Sequence, residues 1–227
     1  MGGVFTVLKW GARDWYDEMV MFTGVGVIAT IASLPFLAVL FALFAALQLP
    51  LLFILAFAPF IPSPALVGMY GLARELAKGE GISWALFKQV TSQYWKKSLL
   101  LYVISLAGTA LIITSMLFYL SIDNQILQFL GYAWLYGVLI WLMMQMYLLP
   151  LLLEQERGSI FRIYRNALII AVAKPLVTLG VFIVSILLLI AGAFTVIGLP
   201  LVVLPLMASL GAHALRYSVY GPPVIPR

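Results

Sequence analysis

The sequence predicts an all-α fold: a polytopic membrane helix bundle with six transmembrane helices and two cytoplasmic interfacial helices. Hydrophobic residues make up 64% of the 227 residues and charged residues only 9%, with a mean hydropathy of +1.12. Soluble domains usually carry about 25% charged residues. So few charges cannot cover a water-exposed surface. We therefore expect lipid to cover most of the outside of a single transmembrane domain that occupies residues 1–227.

The spacing of the charged residues is the second observation, because charges mark the ends of the predicted spans. Residues 19–73 and 175–215 contain no Asp, Glu, Lys or Arg. Each stretch is too long for one span of roughly 20 residues, so we expect each to hold two spans joined by a tight turn. The predicted spans cover about residues 20–47, 51–70, 99–120, 127–153, 175–195 and 197–215.

This layout places all 13 Lys and Arg residues on one side of the membrane. Asp123 is the one charged residue on the other side. An excess of Lys and Arg marks cytoplasmic loops, so we predict a multi-pass protein of the cell inner (plasma) membrane with both termini in the cytoplasm. The same rule explains the sequence pI of about 9.5 without a nucleic-acid partner.

Two cytoplasmic segments, about residues 84–97 and 160–174, are predicted to be helices that lie in the membrane interface and run into the next span. Ser83 and Ser159 suit the N-cap positions, and apolar residues follow at spacings of three and four. Basic residues on such helices contact anionic lipid headgroups, or they form a platform for a partner with aromatic anchors. The residues of this predicted surface are Trp84, Phe87, Lys88, Lys96, Lys97, Phe161, Arg162, Tyr164, Arg165 and Lys174.

The two segments also resemble each other at an offset of 77 residues. Gly81 matches Gly158, and Lys97 matches Lys174. Between them an aromatic–basic pair recurs, Phe87-Lys88 in the first segment and the tyrosine and arginine at 164–165 in the second. We therefore expect a parallel internal repeat in which a span, an interfacial helix and a further span are used twice.

Residues with catalytic chemistry are sparse. The chain has no cysteine, and its one histidine is His213, which we expect to pack at the inner end of the last span. The spacing of His and acidic residues gives no metal site, and no glycine-rich nucleotide motif occurs. The sequence therefore predicts no catalytic residue, no cofactor and no metal, which favours a protein that is not an enzyme.

Polar residues inside the spans leave two interpretations open. Gln145, Thr109 and Ser105 either join neighbouring helices through hydrogen bonds or line a polar site within the membrane. Gln145 is the most informative, because an amide has both donors and an acceptor to satisfy. Ion-coupled transporters commonly place charged residues at this depth, and the predicted spans contain none.

Several segments resemble the YesL-type family of bacterial integral membrane proteins. They are the run from Pro62 to Tyr70, the segment from Leu76 to Glu80, the aromatic–basic run from Tyr94 to Lys97, Gln145 to Pro150, and Asn166 to Leu168 before Lys174-Pro175. Ser33-Leu34-Pro35 matches the family's Leu-Pro step, but the neighbouring residues differ. The resemblance implies a membrane protein of uncharacterised function, often encoded near bacterial sugar ABC-transport genes, with no catalytic residue to carry over.

Three functions are therefore expected, in decreasing order of support. The first is a non-enzymatic accessory or scaffold subunit that is associated with a transport system. Its partners would be membrane lipids, anionic headgroups above all, and a membrane protein or a second copy of this chain. The second is an uncoupled transporter or channel-like protein for a small or lipid-like solute. The third, a lipid-modifying enzyme, would need polar chemistry that these residues do not supply.

Overall fold

The computed structural model describes residues 2–46, 63–155, 158–195 and 198–221. These residues are almost entirely helical, and no strand occurs among them. The helices are α1 (Gly2–Asp17), α2 (Met19–Ala46), α3 (Pro64–Lys78), α4 (Trp84–Ser121), α5 (Gln125–Glu154), α6 (Ile160–Ala173), α7 (Pro175–Thr195) and α8 (Leu204–Tyr220), with a π-helical turn at Leu199–Val203 before α8.

Five segments of the described residues are long and apolar enough to cross a membrane. They are Met19–Phe36, Trp84–Ser121, Gln125–Glu154, Pro175–Gly192 and Leu199–Tyr220. The predicted all-helical, multi-pass membrane architecture is confirmed at this level. Most of the predicted span 51–70 lies outside the described residues. Its last part belongs to α3, whose side chains are mostly buried within the protein. The count of six spans stays a prediction.

The first predicted interfacial segment and the span after it form one helix, α4. Ser83 Oγ accepts a hydrogen bond from the backbone N–H of Leu86 at 3.2 Å, as expected of an N-cap. The helix then continues for 38 residues, a length of about 57 Å at 1.5 Å per residue. A bilayer core is only about 30 Å thick, so a large part of α4 extends beyond it.

The second predicted interfacial segment is the separate helix α6. Ser159 Oγ accepts from the backbone N–H of Arg162 at 3.3 Å and begins the helix. Lys174 leaves helical geometry, with φ −127° and ψ 57°. Pro175 explains this break, because the residue before a proline is pushed away from the α region. The two segments therefore differ: α4 is continuous where α6 and α7 are divided.

Helix α1 was not predicted, and it packs along α8. Val7 and Gly11, four residues apart, are its buried positions. Ser209 Oγ donates to the carbonyl oxygen of Gly11 at 2.9 Å. At Gly11 a Cβ atom would come within 2.8 Å of the Leu210 side chain, so the two helices touch closely. Charged residues lower the mean hydropathy of this segment, so a search for apolar spans does not detect the helix.

The start of α2 contacts the start of the last membrane segment. Thr23 Oγ1 donates to the carbonyl oxygen of Leu201 at 3.3 Å. Gly26 has no room for a side chain beside the carbonyl of Pro200. The six-span layout puts Thr23 near the inner end of the first span and Leu201 near the outer end of the sixth. The contact is therefore at odds with that layout, which separates the two residues by much of the thickness of the bilayer core.

Helices α3 and α8 lie at the centre of the protein. Met69 and Leu72 of α3 and Leu210 of α8 are fully or almost fully buried. Gly211 of α8 sits against Tyr70 of α3, where a Cβ atom would come within 3.3 Å of the tyrosine ring. By contrast, α4, α5 and α7 expose large apolar side chains along the parts that are expected to face lipid.

Candidate functional site

Ser105 and Gln145, predicted as parts of a polar site, are in direct contact across α4 and α5. Ser105 Oγ lies 2.8 Å from Gln145 Oε1. The hydroxyl of Tyr164 on α6 lies 2.6 Å from the same Ser105 Oγ. Tyr164 also donates to the carbonyl oxygen of Leu101 at 2.9 Å. Burial raises the pKa of Tyr164 to about 12, so its hydroxyl keeps its proton at neutral pH.

The number of protons decides the orientation of the Gln145 amide. Three hydrogen bonds are involved: Ser105 to Gln145, Ser105 to Tyr164, and Tyr164 to the carbonyl oxygen of Leu101. Each needs one proton, but the two hydroxyl groups supply only two. With Oε1 toward Ser105, Nε2 of Gln145 is also buried without a hydrogen-bond partner in the described part of the chain. Turning the amide over lets Nε2 donate to Ser105, Ser105 to Tyr164, and Tyr164 to Leu101. Each contact then has its own proton, which favours this orientation.

Thr109, the third predicted polar residue, extends the same network by one helical turn. Its Oγ1 donates to the carbonyl oxygen of Ser105 at 2.8 Å and accepts from Trp141 Nε1 at 2.9 Å. The Trp141 ring stacks on the Tyr164 ring, with centroids 5.8 Å apart and an angle of 11° between the planes. The network therefore joins α4, α5 and α6 and fixes the aromatic pair.

A small cavity adjoins this network. Its volume is about 60 Å³, and its walls are formed by Tyr70, Leu101, Tyr102, Ser105, Gln145, Leu148 and Leu149. A cavity needs about 10–15 Å³ of space for the centre of a water-sized sphere to hold one water molecule, so this cavity has room for several. Binding sites for drug-sized ligands begin at about 300 Å³. The predicted polar residues join helices here, and the cavity beside them is much smaller than such a ligand site.

The predicted basic–aromatic surface is only partly exposed. On α4, Trp84, Lys88, Lys96 and Lys97 are exposed, while Phe87 is only 6% exposed and packs against Gly68. On α6 and at its end, the exposed members are Phe161, Arg162, Arg165 and Lys174. Tyr164 instead turns its hydroxyl toward Ser105. Phe87 and Tyr164 are thus not surface anchors, because the spacing that predicted each helix is that of its buried stripe.

Trp95 belongs to the exposed surface of α4, although it was not among the predicted residues. Its side chain is 38% exposed, and the ammonium group of Lys96 lies 5.6 Å from the centre of its ring. A cation at this distance from an indole face is attracted by the ring quadrupole. Trp95 with Lys96 therefore forms a preorganised aromatic–basic pair on the exposed side of the helix.

The buried carboxylate Glu75 was also missed. It is 6% exposed and forms ion pairs with Arg74 and Lys78. Arg74 Nη1 also donates to the carbonyl oxygen of Leu153 at 2.6 Å, which ties α3 to the end of α5. Burial acts to raise the pKa of Glu75. Hydrogen bonds from Arg74 and Lys78 and the charge of Arg74 outweigh it, so the pKa lies below its ordinary value.

His213 and Asp14 form a contact that no local pattern could show. His213 Nε2 lies 2.8 Å from Asp14 Oδ2, and both side chains are mostly buried. The two residues are 199 positions apart in the chain. The expectation that His213 packs at a helix end is refined: it joins α8 to α1. No group of three or more residues suited to holding a metal ion occurs within the described ranges.

The fold and these contacts define an all-helical, multi-pass membrane protein whose polar side chains serve to join helices. No model of a known protein family, no curated protein and no solved structure matches the chain.

Replacing Glu75 by Gln should lower thermal stability in a pH-dependent manner. The folded-state pKa of Glu75 lies below the ordinary 4.5, so its ionised form stabilises the fold above the unfolded-state pKa. That stabilisation is lost as the pH falls through the folded-state pKa. The difference in Tm between the wild-type protein and Glu75→Gln should be largest near neutral pH and shrink below pH 4.5. The exposed Asp123→Asn serves as control, and a difference that stays constant with pH would contradict the prediction.

Ser105→Ala and Tyr164→Phe should be coupled in a double-mutant cycle. Each removes a hydroxyl but keeps the packing, including the ring stack on Trp141. Hydrogen bonds between membrane helices contribute about 0.6 kcal/mol on average, and at most about 1.7 kcal/mol, in such cycles. We expect a coupling free energy in this range, measured from unfolding in mixed micelles. Tyr132→Phe, on the exposed side of α5, should be additive with Ser105→Ala. Additivity of the Ser105–Tyr164 pair as well would show that the contact contributes nothing.

Proposed function

We propose that this chain is a non-enzymatic accessory or scaffold subunit associated with a transport system, and that it binds a membrane protein partner. The observation that carries the proposal is the exposed aromatic–basic surface of α4. Lys88, Trp95 and Lys96 are exposed on this helix, while Val90 and Tyr94 between them are buried. A helix with one face held in the protein presents the other face in a fixed geometry.

The length of α4 supports a location of this surface outside the hydrocarbon. Residues 98–121 carry no charge and measure about 36 Å as a helix, which already covers the bilayer core. Residues 84–97 add about 21 Å on the side where the lysines lie. Anionic headgroups attract these lysines. A partner protein with an acidic, apolar patch would match both the lysines and the tryptophan rings.

The topology proposed with this function has six spans in the inner (plasma) membrane and cytoplasmic termini. The distribution of Lys and Arg supports it. The chain has no cysteine, so single cysteines report on accessibility without background. Asp123→Cys should react with a membrane-impermeant maleimide in intact cells, and Lys97→Cys only after permeabilisation. Protection of position 123 in intact cells would overturn the orientation.

The internal repeat stays a proposal, with support from matching burial. Val90 and Tyr94 of α4 are buried, as are the residues 77 positions later, Ala167 and Ala171 of α6. Residues at matching positions are therefore buried in both segments. Superposition of residues 64–97 on residues 141–174 tests the repeat, and unrelated backbone paths would reject it.

The alternative is an uncoupled transporter or channel-like protein for a small or lipid-like solute. The observation in its favour is the cavity beside Ser105 and Gln145, which holds polar groups at membrane depth. Its volume of about 60 Å³ would admit water but no sugar without rearrangement of α4 and α5. Stopped-flow light scattering on reconstituted vesicles, with water and glycerol as solutes, distinguishes the two functions. Permeability equal to that of empty vesicles would remove the alternative.

The identity of the transport system rests on the resemblance to the YesL-type family. Genes of that family often lie near those for sugar uptake, which supports an ABC transporter as the class of partner. Co-purification from native membranes in mild detergent tests this part of the proposal. A protein that emerges alone and monomeric would contradict it.

The double variant Trp95→Ala/Lys96→Glu should abolish co-purification of the partner. It removes the exposed aromatic ring and reverses the adjacent charge, while the buried stripe of α4 is unchanged. The matched control is Lys9→Glu/Trp10→Ala, which alters the same residue types at adjacent positions on α1. We expect the control to retain the partner, as measured by quantitative mass spectrometry of the eluate. Equal recovery with both double variants would show that the α4 surface is not the binding site.

A further inference from the structure

A second and larger cavity lies where α5, α6 and α8 meet. Its volume is about 340 Å³, which falls within the range of small-molecule sites. The end of α5, the middle of α6 and the end of α8 form its walls. The lining residues are Leu151, Glu154, Gln155, Asn166, Ile169, Ile170, Leu215, Arg216, Val219 and Tyr220.

The lining is divided between apolar and polar side chains. Leucine, isoleucine and valine side chains from all three helices provide an apolar wall. Glu154, Gln155, Asn166 and Arg216 add one negative charge, one positive charge and two amides. The guanidinium of Arg216 lies 5.7 Å from the centre of the Tyr220 ring, which holds it in place.

The polar groups of the lining differ in whether a ligand can reach them. Gln155 Oε1 is buried and has no hydrogen-bond partner among the described residues. This oxygen is closed off from solvent, so a molecule in the cavity does not reach it. Within the same described ranges, no ion pair joins Glu154 to Arg216, although both line the cavity.

We propose that this cavity binds the headgroup of a zwitterionic phospholipid with a primary ammonium group, that is, phosphatidylethanolamine. The phosphate pairs with Arg216, and Asn166 donates to it through its amide nitrogen. The ammonium pairs with the exposed carboxylate of Glu154. One acyl chain runs along the apolar wall that Ile169 and Val219 help to form. This site is separate from the α4 surface, so its test does not depend on the proposed partner.

The position of the cavity agrees with a headgroup rather than a free solute. It lies at the ends of α5 and α8, two of the helices that are long enough to cross a membrane. Arg162 is one helical turn before Asn166 on α6, and positions four apart share a helix face. A second exposed cation is therefore near the mouth, which favours a phosphate group over a neutral solute.

The primary ammonium distinguishes this lipid from phosphatidylcholine. An ammonium group has three N–H donors, so it can hydrogen-bond to the Glu154 carboxylate as well as pair with its charge. A quaternary ammonium has the same charge but no N–H donor. A phosphatidylglycerol headgroup would place a hydroxyl against Glu154 and gain no ion pair there. The site should therefore prefer phosphatidylethanolamine to both.

Native mass spectrometry of the full chain in detergent, titrated separately with dioleoyl forms of the three lipids, tests the proposal. We expect the wild-type protein to retain phosphatidylethanolamine at the lowest lipid concentration. Arg216→Gln should weaken retention about tenfold, as expected for one charge-assisted hydrogen bond. Glu154→Gln should bring phosphatidylethanolamine to the level of phosphatidylcholine without changing retention of the latter. Lys9→Gln, which removes an exposed lysine on α1 outside the cavity and outside the α4 surface, should behave as wild type.

Three results would overturn the proposal. One is equal retention of the three lipids by the wild-type protein. Another is retention by Arg216→Gln that matches that of Lys9→Gln, with both variants at the wild-type Tm. The third is displacement of the lipid by millimolar inorganic phosphate, which would indicate a site for a free anion. If Arg216→Gln does not fold, Val219→Trp replaces it. That variant fills the apolar wall with an indole ring and leaves the charges intact, so it should also block retention.

Discussion

Close approach of helices at glycine is the constraint on which the rest of this structure depends. Gly211 lets α8 lie against Tyr70 of α3 and the carbonyl of Met146 on α5. Gly68 and Gly71 of α3 bring it onto Phe87 and Val90 of α4 in the same way. Lipid tails are as apolar as leucine side chains, so membrane helices gain little from burying apolar surface against each other. Dispersion contacts at short distance must hold them together, and a side chain at these positions would prevent those contacts.

The polar contacts follow from the same constraint. Hydroxyl groups from one helix donate to backbone carbonyls of another, as Ser63 does to Ala29 at 2.9 Å and Ser209 does to Gly11. Such bonds need helices that are already close, because a serine side chain is short. They satisfy hydroxyl groups where no water is available, at little cost in desolvation. Ionised groups are placed differently: Glu75 is buried only where two cations and a helix end surround it.

Hydropathy and helix signals predict the membrane helices well and the contacts between them poorly. The apolar runs of α4, α5 and α7 and the N-caps at Ser83 and Ser159 are local features, so the sequence reveals them. Helix α1 was not predicted because its charged residues lower its mean hydropathy. The Asp14–His213 contact was not predicted because the two residues are far apart in the chain.

The same distinction explains the partial success at the two candidate sites. Ser105, Gln145 and Thr109 were singled out because polar groups at membrane depth need partners, and they do contact one another. Tyr164 was assigned to the exposed surface because an aromatic residue on a basic helix can lie on the exposed face or on the buried one. Only the packing of α6, chiefly against α5, decides which of its faces is buried. The sequence thus identifies residues that need a contact. The fold determines whether that contact is made within the protein or is left for a lipid or a partner.

Tyr164 gives this arrangement a mechanical consequence. The exposed surface of α4 and the membrane part of α4 belong to one continuous helix, whereas α6 is separated from α7 by the break at Lys174. Tyr164 fastens α6 to α4 at Leu101 and Ser105, one to two turns beyond Lys97. A partner that shifts the lysine-bearing end of α4 would therefore displace the acceptors of Tyr164 and pull on α6. The wall of the larger cavity that Asn166 and Ile169 form lies on that helix, so the Tyr164 hydroxyl joins the two surfaces of the protein, together with the packing of α4 and α6 on α5.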